Sequence, residues 1–197
     1  MAKKQQRKLR VGVLGESPND TKAMIALLKP RYGEQVEFFI LLDRITGDML
    51  EAAETFRNLH KECEYEKPDL VVVIRDLDSL EEKGPKWRLR QAYFRKVATA
   101  VGKKKSLKLL HIYEIEALIC ADIRAFNEKF VCTCVVADDP MAISEPKELL
   151  MAATAPGKPR YAEGHCAELL AKADYDKLLA NCRYFAKFDQ EFNQRLA

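Results

Sequence analysis

The sequence predicts an α/β fold, with a mainly parallel four-stranded sheet of Rossmann-like type, flanking helices and a helical C-terminal extension. Short apolar runs alternate with amphipathic segments through the first 112 residues, in the order βαβαβαβ. One of these runs, Asp69–Ile74, is almost continuous Val and Ile, which is typical of a central parallel strand buried on both faces. This order favours right-handed crossovers between parallel strands.

The first three elements are bounded by turn and cap signals. The apolar run Val11–Leu14 predicts a strand, and Gly, Ser, Pro and Asn residues follow it as a turn. Apolar residues at helical spacing predict a helix over Thr21–Tyr32, with Asn19 or Asp20 available as its N-cap. A second apolar run, Val36–Leu42, contains β-branched and aromatic residues and predicts the second strand.

The later elements follow the same reasoning. The sequence from Thr46 opens a second helix, whose apolar residues fall on one face. A third amphipathic helix over Pro85–Val101, with Trp87 facing inward, and a strand over Leu107–Ile112 complete the alternation. The last 60 residues have a largely helical pattern, around Pro146–Ala153, Gly164–Ala171 and Tyr175–Phe188.

Length and composition indicate one compact globular unit. The chain has 197 residues, 48% of them hydrophobic and 32% charged, which is ordinary for a soluble domain. We expect residues 1–125 to form the α/β core and residues 126–197 to form a helical extension packed on it. No apolar run is long enough for a membrane helix or a signal-peptide core, so we expect a cytoplasmic protein without membrane contact.

The six cysteines have no disulfide-framework spacing, and a reducing compartment fits them best. Cys132 and Cys134 with His165 and Cys166 could supply four zinc ligands, but their spacing matches no standard zinc module. We therefore expect reduced, structural cysteines.

Acidic residues follow three of the predicted strands. Ligands of open α/β sheets bind outside the carboxyl ends of the strands, where Glu16, the pair Asp76 and Asp78, and Glu116 would converge. Alternation along an extended chain puts Asp76 and Asp78 on the same side, where their repulsion requires a compensating cation. A site of carboxylate oxygens suits Mg²⁺ or Mn²⁺.

Each of these acids also has a structural explanation. An Asp-x-Asp sequence after a strand can simply cap the next turn. Asp20 could act only as the N-cap of the first helix, and Glu114 could be a solvated neighbour of Glu116. The convergence of Asp76 and Asp78 with Glu16 and Glu116 favours the metal site.

A basic stretch follows the Asp-x-Asp sequence. Between Lys83 and Lys108 there are ten Lys or Arg residues and no Asp or Glu, although the net charge of the whole chain is only +3. Such a stretch attracts polyanions, including a nucleic-acid backbone. The candidate phosphate contacts are Lys83, Lys86, Arg88, Arg90, Arg95, Lys103, Lys104 and Lys105.

These residues carry a resemblance to a known family. A first strand ending in Glu16 with an acid at Asp20, and a later strand ending in Asp76-Leu-Asp78, resemble the TOPRIM fold of topoisomerases, primases and overcoming-lysogenization-defect nucleases. The segments Ile112–Asp122, Pro146-Lys147 and Cys182–Phe188 resemble the small TOPRIM-like family once labelled domain of unknown function 4276. This resemblance spans nearly the whole chain.

The resemblance implies a metal-dependent nuclease. By position, Glu16, Asp76 and Asp78 would bind Mg²⁺ or Mn²⁺, as a pair of ions in the family pattern, with Asp20 and Glu116 as further ligands. Members of the group resemble effectors of bacterial anti-phage defence that work with an ABC- or AAA-type ATPase encoded nearby. The substrate would be DNA or RNA, and self-association into a homo-oligomer is left open.

Two other functions fit parts of the sequence. The apolar strand followed by Asp76 and Asp78 is also found in haloacid-dehalogenase-like phosphatases, where the first Asp is the nucleophile. Alternatively, the acids are structural and the basic helix docks a partner or nucleic acid without cleaving it. Trapping a phosphoaspartate would favour the first alternative, and a missing Mg²⁺-dependent thermal shift would favour the second.

Overall fold

The computed structural model describes residues 7–136, 139–155 and 159–197, which contain one sheet of four parallel strands. The strands are β1 (Leu9–Leu14), β2 (Val36–Ile40), β3 (Leu70–Asp76) and β4 (Ser106–His111), arranged in the order β2-β1-β3-β4. The predicted α/β class, with a parallel four-stranded sheet and a helical C-terminal part, is therefore confirmed.

The helices of the core connect these strands, and shorter helices follow β4. The helices of the first half are α1 (Pro18–Tyr32), α2 (Ala53–Glu66) and α3 (Pro85–Val101). Those that follow are α4 (Glu116–Ala121), α5 (Arg124–Phe130), α6 (Pro146–Thr154), α7 (Cys166–Ala171), α8 (Tyr175–Asn181) and α9 (Arg183–Leu196). None of the helices in the described ranges is both long and apolar enough to cross a membrane.

The helices cover both faces of the sheet. Phe38 of β2 stacks on Phe192 of α9, with ring centroids 6.2 Å apart. Arg75 of β3 lies over the ring of Tyr93 of α3, 4.5 Å from its centroid. Phe38 of β2 and Leu70 of β3 both pair with Val11 of β1, so their side chains lie on the same face of the sheet. Arg75 is five residues after Leu70, and because side chains alternate along a strand it lies on the opposite face. The core strand β3 is consequently buried on both sides, as its Val and Ile run predicts.

Helix α1 begins earlier than the sequence indicates. Ser17, and not Asn19 or Asp20, is the N-cap: its side chain accepts a hydrogen bond from the Asp20 backbone N–H. The Asp20 carboxylate accepts in return from the Ser17 backbone N–H at 3.0 Å, which completes a capping box. Pro18 occupies the first turn, where its missing N–H is harmless.

Two other boundaries differ from the prediction. Helix α2 begins at Ala53 and not near Thr46, because a 3₁₀ turn over Gly47–Met49 comes first and the Thr55 hydroxyl donates to the Met49 carbonyl. The helix predicted over Tyr175–Phe188 is two helices, since Cys182 adopts an extended conformation between α8 and α9.

Candidate functional site

A cavity of about 170 Å³ lies at the carboxyl ends of β1, β3 and β4, the edge of the sheet where the sequence predicts the site. It brings together Asp20, Asp76, Asp78, Glu114 and Glu116, which come from three separate segments of the chain. Its other lining residues are Ser17, Asn19, Ile115, Lys147, Glu163 and Cys166. The cavity is thus predominantly anionic.

Asp76 is the last residue of β3 and the most perturbed acid of this cavity. By strand alternation its side chain is on the same face as Phe38, the face that α9 covers. Burial raises the pKa of Asp76 well above its usual value, and the nearby charges of Asp20, Glu16 and Glu116 raise it further. No residue in the described ranges donates a hydrogen bond to this carboxylate, so a proton or a cation must stabilise it.

Asp78 lies beyond the end of the strand. Its φ of 53° is in the left-handed region, so the strand alternation that predicted a common side for Asp76 and Asp78 does not extend to it. The Arg90 guanidinium donates to Oδ2 of Asp78 at 2.6 Å and to the Asp76 carbonyl at 2.7 Å. Lys86 donates to the Asp78 carbonyl at 2.7 Å. Asp78 lines the cavity because these two basic side chains of α3 fix its loop.

Asp20 combines its capping contact with a position in the cavity. Burial raises its pKa to about 6 and the neighbouring Glu16 charge adds to this, whereas the hydrogen bond from Ser17 acts in the opposite direction. The capping box uses Oδ2 of Asp20 and leaves Oδ1 without a described hydrogen bond. The N-cap explanation and the ligand explanation of Asp20 are therefore compatible.

Glu16 lies behind the cavity and does not line it. Its Oε1 accepts hydrogen bonds from Arg75 Nε at 2.5 Å and from the Asp76 backbone N–H at 3.1 Å. Arg75 is buried and also approaches Glu51, with 3.6 Å between Nη1 and Oε1. In this arrangement Glu16 orients the end of β3 and neutralises a buried guanidinium.

Glu116 begins α4 and is buried, 3% exposed. The Tyr161 hydroxyl donates to its Oε1 at 3.0 Å, and the Cys166 thiol lies 3.8 Å from the same atom. Burial raises the pKa of Glu116 to about 7, against the lowering effect of the Tyr161 hydrogen bond. A carboxyl group with this pKa can both accept and release a proton near neutral pH.

Three cavity residues from the C-terminal part were not predicted to lie beside these acids. Lys147 pairs with Glu163, with 3.2 Å between Nζ and Oε1, and Cys166 lies beside Glu116. Burial lowers the pKa of Lys147, but the Glu163 hydrogen bond and the charges of Glu114 and Glu116 outweigh this and leave it raised. Lys147 therefore stays charged in the cavity. The segment Pro146-Lys147 was noticed in the sequence only through the family resemblance.

The predicted basic residues do not form one surface. Lys86 and Arg90 contact the Asp78 loop, and Lys83 precedes α3 at the same end. Lys103, Lys104 and Lys105 lie between the end of α3 and the start of β4, at the amino-terminal edge of the sheet. Because α3 has 17 residues, about 25 Å of helix separates the two groups. Arg88 and Arg95 are exposed along α3 between them.

The carboxylate oxygens of the cavity are ligand atoms of the type that hard divalent cations prefer. The hydrogen bonds that hold the carboxylates use Oδ2 of Asp20, Oδ2 of Asp78 and Oε1 of Glu116, and the second oxygen of each receives no hydrogen bond from another described residue. As these side chains stand, however, residues 7–136, 139–155 and 159–197 contain no group of three or more His, Cys, Asp or Glu that could hold a metal ion. The same ranges hold all six cysteines as free thiols.

Comparison with known proteins identifies no relative of the chain. No family model matches the chain, and no curated protein or solved structure is significantly similar to it.

Proposed function

We propose that the chain is a metal-dependent phosphodiesterase that cleaves nucleic acid, with its reaction centre in the carboxylate cavity. The observation that carries this proposal is the environment of Asp76: a strand-end carboxylate in a cavity lined by five other acids, with no described hydrogen-bond donor. Like charges at this density repel one another, so the carboxylates are expected to converge around a cation. Oxygen-only ligands favour Mg²⁺ or Mn²⁺.

Asp76, Asp78 and Asp20 are the residues that would hold the cation, with Glu116 as a further ligand or as the proton acceptor. When bound, a divalent ion supplies charge neutralisation at the phosphate and increases the acidity of water. Glu116, with its pKa of about 7 and its Tyr161 hydrogen bond, is suited to take a proton from an attacking water. Lys147 offers a positive charge to a phosphate oxygen in the same cavity.

The cellular setting is proposed from the resemblance to TOPRIM-like nucleases. On that basis the protein is a cytoplasmic effector of bacterial anti-phage defence that works with an ABC- or AAA-type ATPase encoded nearby. Co-purification of the chain with the products of neighbouring genes tests this part of the proposal. Recovery of the chain without an ATPase, from cells that express both, would count against the partnership.

The activity is tested by cleavage of plasmid DNA, single strands and tRNA in Mg²⁺ or Mn²⁺. Replacing Asp76 by Asn keeps the shape of the side chain and removes its charge, and we expect cleavage to fall by at least about 100-fold. Asp43→Asn is the matched control, because Asp43 is an exposed acid that follows β2 at the same edge of the sheet but outside the cavity. Full activity in a folded Asp76→Asn variant would contradict the assignment.

A further inference from the structure

A groove runs along β4, which has a hydrogen-bonded strand neighbour on one side only among the described residues. Its walls are α3 and α9, which approach this edge of the sheet from opposite faces. Two adjoining cavities, of about 110 and 230 Å³, form the groove and share Gln91, Lys108 and Glu191 as lining residues. The groove is therefore one continuous feature.

The lining of this groove is strongly basic. Arg95, Lys108, Lys187 and Arg195 line it, against the single carboxylate of Glu191 among the described residues. None of the four basic side chains forms an ion pair with a described carboxylate: Lys108 donates to the Gln91 side chain at 2.9 Å, and Arg195 donates to the Lys104 carbonyl at 2.6 Å. Their positive charges remain available to a ligand.

One end of the groove carries aromatic side chains and lies beside the carboxylate cavity. Trp87 and Tyr184 line this end and are both half-buried. Trp87 follows Lys86, which binds the Asp78 carbonyl, while Tyr184 follows Arg183, which pairs with Glu82 of the loop that leads from Asp78 to α3. A ligand in the groove would reach the cavity from this end.

We infer that the groove binds a single strand of nucleic acid, with phosphates on its basic side chains and a base stacked on Trp87. This inference rests on the proposed function and specifies its substrate surface. Unpaired basic groups beside an aromatic face are the combination that proteins use for single strands. In a duplex the bases are paired and stacked on one another, so Trp87 could not reach a base face.

The length of the groove limits the number of nucleotides. From Trp87 to Arg95, eight residues of α3 rise about 12 Å. At about 3.4 Å per stacked nucleotide, this is room for about four nucleotides. A strand of this length would place its next phosphate near the Asp78 loop.

Trp87 reports occupancy directly, because it is the only tryptophan in the chain. Ten-nucleotide thymidine and uridine oligomers, added to the full chain in EDTA, are expected to quench its fluorescence saturably. A duplex of the same length is expected to give less than half of that quench. Binding of either oligomer, measured by anisotropy of a fluorescein label, without any change in Trp87 fluorescence would overturn the inference.

Charge reversal in the groove tests the phosphate contacts. The Arg95→Glu and Lys187→Glu double variant should weaken binding of the labelled oligomer at least about tenfold and reduce the salt slope by about 1.4, the value for two phosphates of a single strand. The matched control is Arg57→Glu with Lys61→Glu, an equal charge change at exposed positions of α2 outside the groove. Equal weakening in both double variants would contradict a specific groove.

Binding in EDTA separates this inference from the proposed activity. If the groove variants bind normally while the wild-type chain cleaves nucleic acid, the groove assignment fails and the phosphodiesterase stands. If the groove variants lose binding but the wild-type chain cleaves no substrate in Mg²⁺ or Mn²⁺, the activity fails and the groove stands. If the groove binds an extended acidic peptide more tightly than either oligomer, the inference fails and the ligand of the groove is an acidic protein segment.

Discussion

Asp76, Asp20 and Glu116 share an electrostatic problem, because burial disfavours their charged forms and each lies near further acids. The pKa of Glu116 is raised to about 7 and that of Asp20 to about 6, while that of Asp76 is well above its usual range. In unfolded protein the same groups titrate near 4. At pH values between the unfolded and the folded pKa of each group, the folded chain binds more protons than the unfolded chain does.

This difference predicts a decrease in stability as pH rises. The free energy of unfolding must fall with increasing pH wherever the folded state holds more protons. The loss begins near pH 4.5, the ordinary value for Glu, and for Glu116 it is complete above pH 7. Because one pKa unit corresponds to about 1.4 kcal/mol, the raised pKa of Glu116 alone accounts for a loss on the order of 3 kcal/mol in the free energy of unfolding.

Urea unfolding at pH 5 and pH 8 in EDTA measures this effect. The Glu116→Gln variant cannot ionise and should lose about 2.5 kcal/mol less than the wild-type chain between the two pH values. The exposed pair of Glu128 and Arg124 provides a control, since Glu128→Gln should follow the wild-type pH dependence. Identical pH profiles for the wild type and Glu116→Gln would show that Glu116 is not held in this environment.

Single residues also show where sequence reasoning stops. The position of Asp76 at a strand end follows from the apolar run before it. The left-handed conformation of Asp78 does not, since it depends on Arg90 and Lys86 from a helix that begins several residues later. The hydrogen bond from the Arg75 guanidinium to Oε1 of Glu16 likewise does not follow from the sequence, which predicts Glu16 only as a metal ligand.

At the level of elements, α9 joins the C-terminal part to the sheet and forms one wall of the groove. Phe192 is completely buried, and its ring lies 5.0 Å from Tyr32 of α1 and 5.7 Å from Phe188 between centroids. Phe38 of β2 stacks on it from the sheet. Truncating such a side chain removes its burial and leaves a cavity.

We therefore expect Phe192→Ala to lower the free energy of unfolding by about 3–5 kcal/mol. Gln194→Ala, at an exposed position two residues further along α9, should change it by less than about 0.5 kcal/mol. Urea denaturation of both variants in one buffer measures the difference. A loss in Phe192→Ala as small as that of Gln194→Ala would mean that α9 does not pack on the sheet as described.

The elements themselves were the most predictable part of the molecule. Strands β1 to β4 and helix α3 follow from apolar periodicity, which burial on the sheet requires. The start of α1 was signalled by Ser17 three residues before Asp20, a capping-box pattern that the apolar spacing alone does not show. The break at Cys182 has no comparable local signal, because the sequence on both sides remains amphipathic.

At the scale of the whole molecule, the cavity joins acids from the first half of the chain to side chains from the C-terminal part. The convergence of strand ends could be predicted because parallel strands share one carboxyl edge. The approach of Lys147, Glu163 and Cys166 could not, because it depends on how short helices pack after β4. The length of α3 separates Lys86 from Lys104, whereas the packing of α9 brings Lys187 and Arg195 alongside Arg95.

Calorimetric titration of the full chain with Mn²⁺ at pH 7.5 tests the central claim most directly, because it measures cation binding by the carboxylate cavity without a substrate. We expect saturable binding that weakens at least about tenfold in Asp76→Asn, which removes a ligand charge, and that is unchanged in Asp43→Asn. Equal Mn²⁺ affinity in the wild-type chain and a folded Asp76→Asn variant would contradict a metal centre at the ends of these strands.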